Sequence, residues 1–315
     1  MTERKYHSLP GSLKLRASVL AEVRRFFAER EVMEVETPLL GTSTVTDVHS
    51  QSFEVRTHDP SQLPFFLQTS PEYAMKRLLA AGSGPIYQIA KAFRAGERSR
   101  LHNPEFTLIE WYRPGFSLAD LMDEVEQLIA CLLCRQNIPR VTYGELFRAH
   151  LNLDPHTIAL EELKQRSDEL IDVPSADLDA TDYLQLLMGQ KIEPSLPDSC
   201  FIYEYPEAQA ALSVVAPDAE GVPVAQRFEL YIDGMELANG YFELTDAAEQ
   251  RARFERDLVR RQQLGLPAVP VDEELLAAME AGLPSCAGVA LGLDRLLMAL
   301  GQIRDICGVI SYPLG

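Results

Sequence analysis

The Asp233-Gly234 pair, set between two apolar runs, constrains this chain more than any other feature. An Asp-Gly dipeptide between strand-like residues specifies a two-residue hairpin turn, because both central positions need positive φ. Folding the chain there pairs Ile232 with Met235 and Tyr231 with Glu236. Continuing that register sets Glu229 opposite Ala238, on the face that carries Glu236. Diagonal neighbours on an antiparallel pair lie about 7–8 Å apart, near enough for two carboxylates to share one divalent ion. Mg²⁺ bound to nucleotide phosphates suits such a pair; a solvated acidic face is the other reading. Asn239 has the opposite parity to Glu236, so both reach one pocket only if the strand bulges near Ala238.

A second hairpin follows the same logic. The runs 86–94 and 105–112 read as long strands joined by a polar loop, AGERSRLHN. Arg94 ends the first strand, His102 and Asn103 close the loop, and Phe106 opens the second strand. Alternation puts Phe106, Glu110 and Tyr112 on one face, a stacking platform beside a carboxylate. Arg94 would neutralise a phosphate, His102 would reach a terminal phosphate, and Phe106 would stack on a base. An exposed hairpin with a core phenylalanine is the alternative. A third constellation, Gly288-Val-Ala-Leu-Gly292-Leu-Asp294-Arg295, puts glycines before a helix whose first turn projects Arg295. Its alternative is a buried helix with an Asp–Arg ion pair.

Between these pieces, residues 12–31 show helical periodicity, with Leu15, Val19, Leu20, Val23, Phe26 and Phe27 on one face. A short strand over 32–35 ends at Thr37-Pro38. Phe65–Leu67 is a strand, and Ser70-Pro71-Glu72 opens a helix, with serine as cap and proline in the first turn. An amphipathic helix spans 117–134. Segment 139–199 holds short helical patterns at 159–170 and 181–188 between proline-rich breaks, and reads as a possible inserted helical subdomain. Strands return at 201–205 and 226–243, and helices at 246–264 and 272–281. The sum is an α+β fold, a mainly antiparallel β-sheet flanked by helices. No run of 18 apolar residues exists, so no membrane span is expected. No secretory leader opens the chain, so a cytoplasmic protein is expected. The five cysteines are scattered and read as reduced, mostly buried thiols; Cys131 and Cys134 have CxxC spacing in an amphipathic helix without a partnering pair, which favours buried helix cysteines over a zinc site. The net charge of −18 argues against a large nucleic-acid footprint and suits a cationic substrate or a divalent metal.

The order of the pieces resembles class II aminoacyl-tRNA synthetases over nearly the whole length. Phe27-Ala-Glu-Arg-Glu-Val-Met-Glu-Val-Glu-Thr-Pro38 resembles motif 1, the dimer-forming helix and strand. Phe93-Arg94 through His102-Asn-Pro-Glu-Phe-Thr107 and Glu110 resembles motif 2, and Gly292-Leu-Asp-Arg295 resembles motif 3. The strings Thr-Ser-Pro-Glu72, His-Asn-Pro-Glu-Phe-Thr and Arg227-Phe-Glu-Leu…Glu236-Leu-Ala-Asn-Gly240 are of lysyl type. Motif 1 begins within the first thirty residues, so one catalytic domain over 1–315 is expected, without an anticodon-binding domain. A free-standing lysyl-type core of this kind resembles the elongation factor P–(R)-β-lysine ligase family.

The resemblance implies roles at matching positions. ATP would meet Arg94, Ala95, Gly96, Glu97, His102, Asn103, Phe106, Glu229, Leu230, Gly292 and Arg295. The amino acid would meet Ser70, Pro71, Glu72, Glu110, Tyr112, Glu236, Asn239, Tyr241, Glu243 and Ala290. Glu229 and Glu236 would hold Mg²⁺, and Arg94 and Arg295 would be catalytic. The implied reaction activates (R)-β-lysine, or lysine, with ATP and transfers it to a lysine side chain of elongation factor P, in a homodimer that charges no tRNA. The rivals are tRNA charging with an anticodon module in trans and a non-catalytic regulatory paralogue. One departure stands out. Motif 2 usually reads Phe-Arg-x-Glu, but Gly96 holds the glutamate position and Glu97 follows it. Either the loop shifts to bring Glu97 in, or backbone at Ala95–Gly96 takes over. Two alanines, Ala238 and Ala290, stand where the lysyl-tRNA synthetase pattern has glycine.

Overall fold

A computed structural model of the chain describes residues 9–59, 61–173 and 178–314. The two hairpins read from the sequence join one large sheet. Its strands run in the order Met33–Glu34, Ile86–Phe93, Glu105–Pro114, Cys286–Gly292, Met235–Phe242, Pro223–Ile232, Ser199–Pro206 and Arg140–Thr142. The pairings are antiparallel except at the two ends, where Met33–Glu34 and Arg140–Thr142 each run parallel to their neighbour. A small sheet of Leu40–Gly41, Phe65–Leu67 and Glu54–Val55 stands apart.

Alternation along the central strand assigns its two faces. Ile109 and Trp111 enter the main core, with no exposure, under the helices Leu9–Ala28, Leu118–Leu133 and Leu293–Gly301. Phe27 stacks on Tyr87 with ring centroids 4.3 Å apart and meets Trp111 edge-on at 5.3 Å. The indole N–H of Trp111 donates to Glu124 at 3.0 Å, so the polar end of this large ring is satisfied inside the core. Burying such aromatics is the main source of stability, about 1.5–3 kcal/mol for each large apolar side chain. Residues 110 and 112 of the same strand point to the opposite face, where the cavity lies.

The helix Leu118–Leu133 begins with a complete capping box between Ser117 and Asp120. Its buried stripe is Leu121, Val125, Leu128 and Ile129. Cys131 lies off that stripe and Cys134 takes the left-handed C-cap, so both are exposed, as is Cys307. Only Cys200 and Cys286 among the five are buried, which corrects the expectation of mostly buried thiols.

Segment 139–199, of which 174–177 lie outside the described residues, contributes an edge strand and the helices Tyr143–Leu151, Leu160–Leu170 and Ala180–Leu187. Its apolar residues, Tyr143, Phe147, Leu163, Leu187 and Ile192, share one core with Ile202, Tyr205 and Tyr231 of the sheet. The segment is therefore docked on the sheet through common packing. No helix among the described residues is long and apolar enough to cross a membrane.

The Met33–Glu34 strand ends the sheet; Met33 within it, and Leu39 and Leu40 after it in the chain, are 50%, 40% and 48% exposed. A terminal strand beside exposed apolar side chains offers a surface that a second copy could cover across a two-fold axis. The expected outcome is a homodimer. Light scattering at micromolar concentration should return twice the 35.2 kDa chain mass, and a monomer there would remove the expectation.

Candidate active site

A cavity of about 590 Å³ opens on the sheet face opposite the main core. It draws its wall from the Glu105–Pro114, Met235–Phe242 and Cys286–Gly292 strands, the loop before the Glu72–Ala80 helix, and the Arg94–Asn103 loop. Sixteen of the residues assigned above to ATP or the amino acid line it: Ser70, Glu72, Arg94, Glu97, His102, Asn103, Phe106, Glu110, Tyr112, Glu236, Asn239, Tyr241, Glu243, Ala290, Gly292 and Arg295; Ala238, Gly288 and Asp294 line it as well.

The hairpin at Asp233-Gly234 has positive φ at both residues, +51° and +71°, and pairs Ile232 with Met235 and Tyr231 with Glu236. One extra residue, Leu237, then enters the second strand, and the register resumes at Leu230 opposite Ala238. Glu229 consequently faces Asn239, not Ala238, which corrects the unbulged register. The bulge also reverses parity beyond Leu237, so that Glu236 and Asn239 both line the cavity.

One end of the cavity is basic. The Arg94 guanidinium carbon stands 5.1 Å from the centre of the Phe106 ring, and its Nη1 lies 3.7 Å from Glu97. Gly96 has φ of +81°, and this turn brings Glu97 to the cavity wall. Arg295 donates through Nη1 to the Glu236 carbonyl and through Nη2 to His102 Nε2 at 2.7 Å. A guanidinium only donates, so His102 Nε2 accepts and its proton sits on Nδ1, 2.8 Å from Ser99 Oγ. Burial and the neighbouring Arg295 hold the His102 pKa below the ordinary imidazole value, in keeping with a neutral ring.

The other end is acidic and closed. Glu110 and Glu243 are each 1% exposed, with Glu72 beside them. Ser70 donates to one Glu110 oxygen and Tyr112 to the other, both at 2.7 Å. Burial and the charge of Glu72 nevertheless push Glu110 up to about 7. Burial pushes Glu243 up to about 8, against the pull of Lys76. Lys76 Nζ lies 2.7 Å from Glu72 Oε1 and 2.6 Å from Glu243 Oε2, an ion-pair bridge between the two carboxylates. One lysine among three carboxylates leaves the cluster short of positive charge, and an ammonium group in the cavity would supply it. Gly288 lines this end because a Cβ there would stand 2.3 Å from the Tyr112 ring and 2.5 Å from Glu243 Oε1.

Pro71, Ala95, Gly96, Glu229 and Leu230 stand outside the lining. Leu230 has the core parity and is fully buried. Glu229 forms an ion pair with Arg227 and accepts from the Tyr231 hydroxyl at 3.0 Å, with Glu193 3.1 Å from the same hydroxyl. Burial raises the pKa of Glu229 first, Arg227 opposes it, and Glu236 adds to the rise. A divalent ion between Glu229 and Glu236 would relieve that repulsion, so the donor set is chemically suited to Mg²⁺. Among the described residues no three acid, histidine or cysteine groups meet closely enough to hold an ion alone. Most of its ligands would have to come from phosphate or water.

Sequence reasoning missed Lys76, Arg227, His49 and Gln185. His49 and Gln185 line the cavity from a loop and from the docked segment. Arg227 stacks 4.5 Å over Tyr205 and donates to Asn239 Oδ1 at 3.2 Å, which orients that amide. Asp294 pairs with Arg16 and accepts from the Thr107 N–H at 2.7 Å, which leaves Arg295 for the cavity.

Comparison with known proteins agrees with this geometry. The family model "tRNA synthetases class II (D, K and N)" matches residues 5–315. An elongation factor P–(R)-beta-lysine ligase of Pseudoalteromonas translucida (strain TAC 125) is 49% identical over 311 residues, 96% of this chain and 95% of that protein. The protein of the same description from Proteus mirabilis (strain HI4320) is 46% identical over 311 residues, with the same shares. That from Klebsiella pneumoniae (strain 342) is 47% identical over 313 residues, 97% of this chain and 95% of the relative. A cavity with a basic end and an acidic end thus sits in a ligase that belongs to the class II tRNA synthetase family, in its elongation factor P–(R)-beta-lysine ligase branch.

Proposed function

We propose that the chain activates a diamino acid, (R)-β-lysine or lysine, as an aminoacyl-adenylate and transfers it to the ε-amine of a lysine on elongation factor P in the cytoplasm. The observation that carries this reading is the acid end of the cavity, where Glu72, Glu110 and Glu243 meet with one lysine, Lys76, behind them. An aliphatic diammonium ligand answers that set, whereas a neutral side chain would leave the carboxylates unpaired. The names of the relatives support the acceptor and the β-lysine substrate.

The substrate carboxylate attacks the α-phosphorus of ATP, pyrophosphate leaves, and a mixed anhydride forms. Arg94 pairs with the α-phosphate and the attacking carboxylate, Phe106 stacks on the adenine, and Arg295 meets the terminal phosphate. His102, Asn103, Glu97 and the backbone of Ala95, Gly96, Leu230 and Gly292 border the nucleotide. Ser70, Pro71, Asn239 and Tyr241 border the amino acid. Mg²⁺ held near Glu229 and Glu236 would neutralise phosphate charge. The protein supplies alignment and charge stabilisation, and no protein nucleophile is required. The acceptor amine then displaces AMP from the anhydride and loses its proton to solvent or phosphate. A net charge of −18 fits a protein acceptor better than tRNA, whose phosphates call for a basic footprint.

ATP–pyrophosphate exchange across a panel of amino acids tests the reading. Exchange is expected with diamino acids and absent with leucine or glutamate. Glu229→Gln and Glu236→Gln should each remove exchange, a loss of about 3 kcal/mol or more of transition-state stabilisation, with unchanged circular dichroism. Near-parent exchange in either variant would refute the carboxylate pair.

The acid end also sets a pH dependence. Glu110 and Glu243 titrate about 7 and about 8, and only their ionised forms attract ammonium groups. Their protonation as pH falls through those values therefore weakens diamino acid capture. A plot of log kcat/KM for the amino acid should fall below roughly pH 7–8, since this ratio reports free-enzyme ionisations. A profile flat from pH 6 to 9 would contradict it.

Ala290 pairs with Glu110 on one side and Asn239 on the other, so its methyl lies between the carboxylate and the amide. α- and β-lysine differ only in which carbon bears the amine, and a methyl can exclude one position, worth about 1–3 kcal/mol. We expect roughly tenfold or greater preference for (R)-β-lysine, narrowed by Ala290→Gly. Ala238→Gly should act less, because Ala238 is packed in the main core at the bulge. Equal specificity ratios in the parent and both variants would sink the steric argument.

A further inference from the structure

We propose that Lys76 is a positioning residue that sets the charge of the acid end, so that the cavity takes amino acids carrying two ammonium groups rather than one. The inference rests on the substrate reading above.

Lys76 is 2% exposed on the helix Glu72–Ala80. Its Nζ lies 2.7 Å from Glu72 Oε1, one turn earlier, and 2.6 Å from Glu243 Oε2, beyond the Met235–Phe242 strand. It does not line the cavity, whereas both carboxylates do. The lysine thus stands behind the carboxylates and fastens the helix to the sheet edge. Burial favours loss of its proton, but Glu243 and Glu72 override burial and hold it above the ordinary lysine value. An unpaired carboxylate pair at this depth would protonate instead, and the pocket would lose its attraction for amines.

The groups that face this cluster fix the count. With all three ionised, a state that Glu110 and Glu243 reach above about pH 8 or when cations bind beside them, Glu72, Glu110 and Glu243 bring three negative charges and Lys76 one positive, which leaves −2. Tyr112, Tyr241 and Cys286 face it from the sheet, and burial raises the pKa of each, the thiol to about 12, so all three are neutral. A diamino acid whose carboxylate pairs with Arg94 brings +2 and closes the balance. A mono-ammonium amino acid leaves one buried negative charge without a partner, which is the costly case. Without Lys76 the count is −3, and even a diammonium ligand leaves a charge over.

The test compares full-length parent, Lys76→Met, Glu243→Gln and the double variant in pyrophosphate exchange. In Lys76→Met the acid limb of the amino acid profile should move to higher pH by roughly one unit, because the carboxylates lose a cation that favours their ionised form. KM for the diamino acid should rise roughly tenfold, and KM for ATP should stay within about twofold of the parent. An unmoved limb with an unchanged KM overturns the proposal. Glu243→Gln alone leaves −1 and should raise KM; adding Lys76→Met restores −2 and should lower KM again, by roughly threefold or more. A lysine with only a structural part predicts the reverse, a double variant worse than either single one. That comparison decides the matter where Lys76→Met alone does not fold, and a double variant whose KM equals or exceeds that of Glu243→Gln overturns the proposal. A parent that exchanges with no diamino acid overturns the substrate reading and this inference together. A parent that does, beside a Lys76→Met that matches it, overturns this inference alone.

Discussion

The burial of two carboxylates, Glu110 and Glu243, on one face of a sheet, with Glu72 of a neighbouring helix against them, is the constraint on which the rest of this structure depends. An ionised carboxylate at 1% exposure costs several kcal/mol unless it is paired and hydrogen-bonded. The fold meets that cost from separate elements. Ser70, ahead of a helix, and Tyr112, two residues along the strand, each donate to Glu110. Lys76, one helical turn after Glu72, neutralises across to Glu243. The helix Glu72–Ala80 is thus tied to the sheet by charge as well as by Met75 and Leu79, which pack against Ile86 and Tyr112. What the protein leaves uncompensated, three carboxylates against one lysine, borders a cavity and defines what a ligand must bring.

Much of this was legible in the sequence, for a definite reason. Strand periodicity and turn chemistry are local, so the Asp233-Gly234 turn, the pairing of Tyr231 with Glu236, and the common face of Phe106, Glu110 and Tyr112 followed from spacing alone. Even the bulge was foreseeable from a conflict of parity between Glu236 and Asn239. Its placement at Leu237 was not, because a bulge falls where two side chains and one partner fit together, and spacing does not carry that information. That single residue decides which side chain faces Glu229.

What stayed hidden depends on contacts distant in sequence. Lys76 sits on a helix whose pattern marks it as an ordinary polar position, and its partner Glu243 lies far along the chain. Arg227 enters the sequence reading only as part of a lysyl-type string, and its role appears when the fold brings Tyr205 and Asn239 to it. Gln185 enters the cavity from the segment with the weakest periodicity, whose helices are held mainly by shared packing with the sheet. The exposed Cys131 and Cys134 show the converse error, since residue type alone favoured burial while their helical phase put them off the apolar stripe.

The two ends of the cavity differ in more than sign. Arg94 and Arg295 keep 34% and 19% of their side chains exposed, while Glu110 and Glu243 at the far end are each 1% exposed. Water screens the basic end and strengthens nothing there, so its cations can meet a large, mobile polyphosphate and release it. The acidic end lies in a lower dielectric, where each mismatch of charge costs more, so discrimination is concentrated there. An amino acid entering such a cavity is turned by its own charges, ammonium groups inward and carboxylate toward Arg94. Orientation in this case requires no moving part. It follows from a strand that sends Ile109 and Trp111 into the core and Glu110 and Tyr112 into the cavity, so that the residues which hold the sheet together also fix the direction of the field inside it.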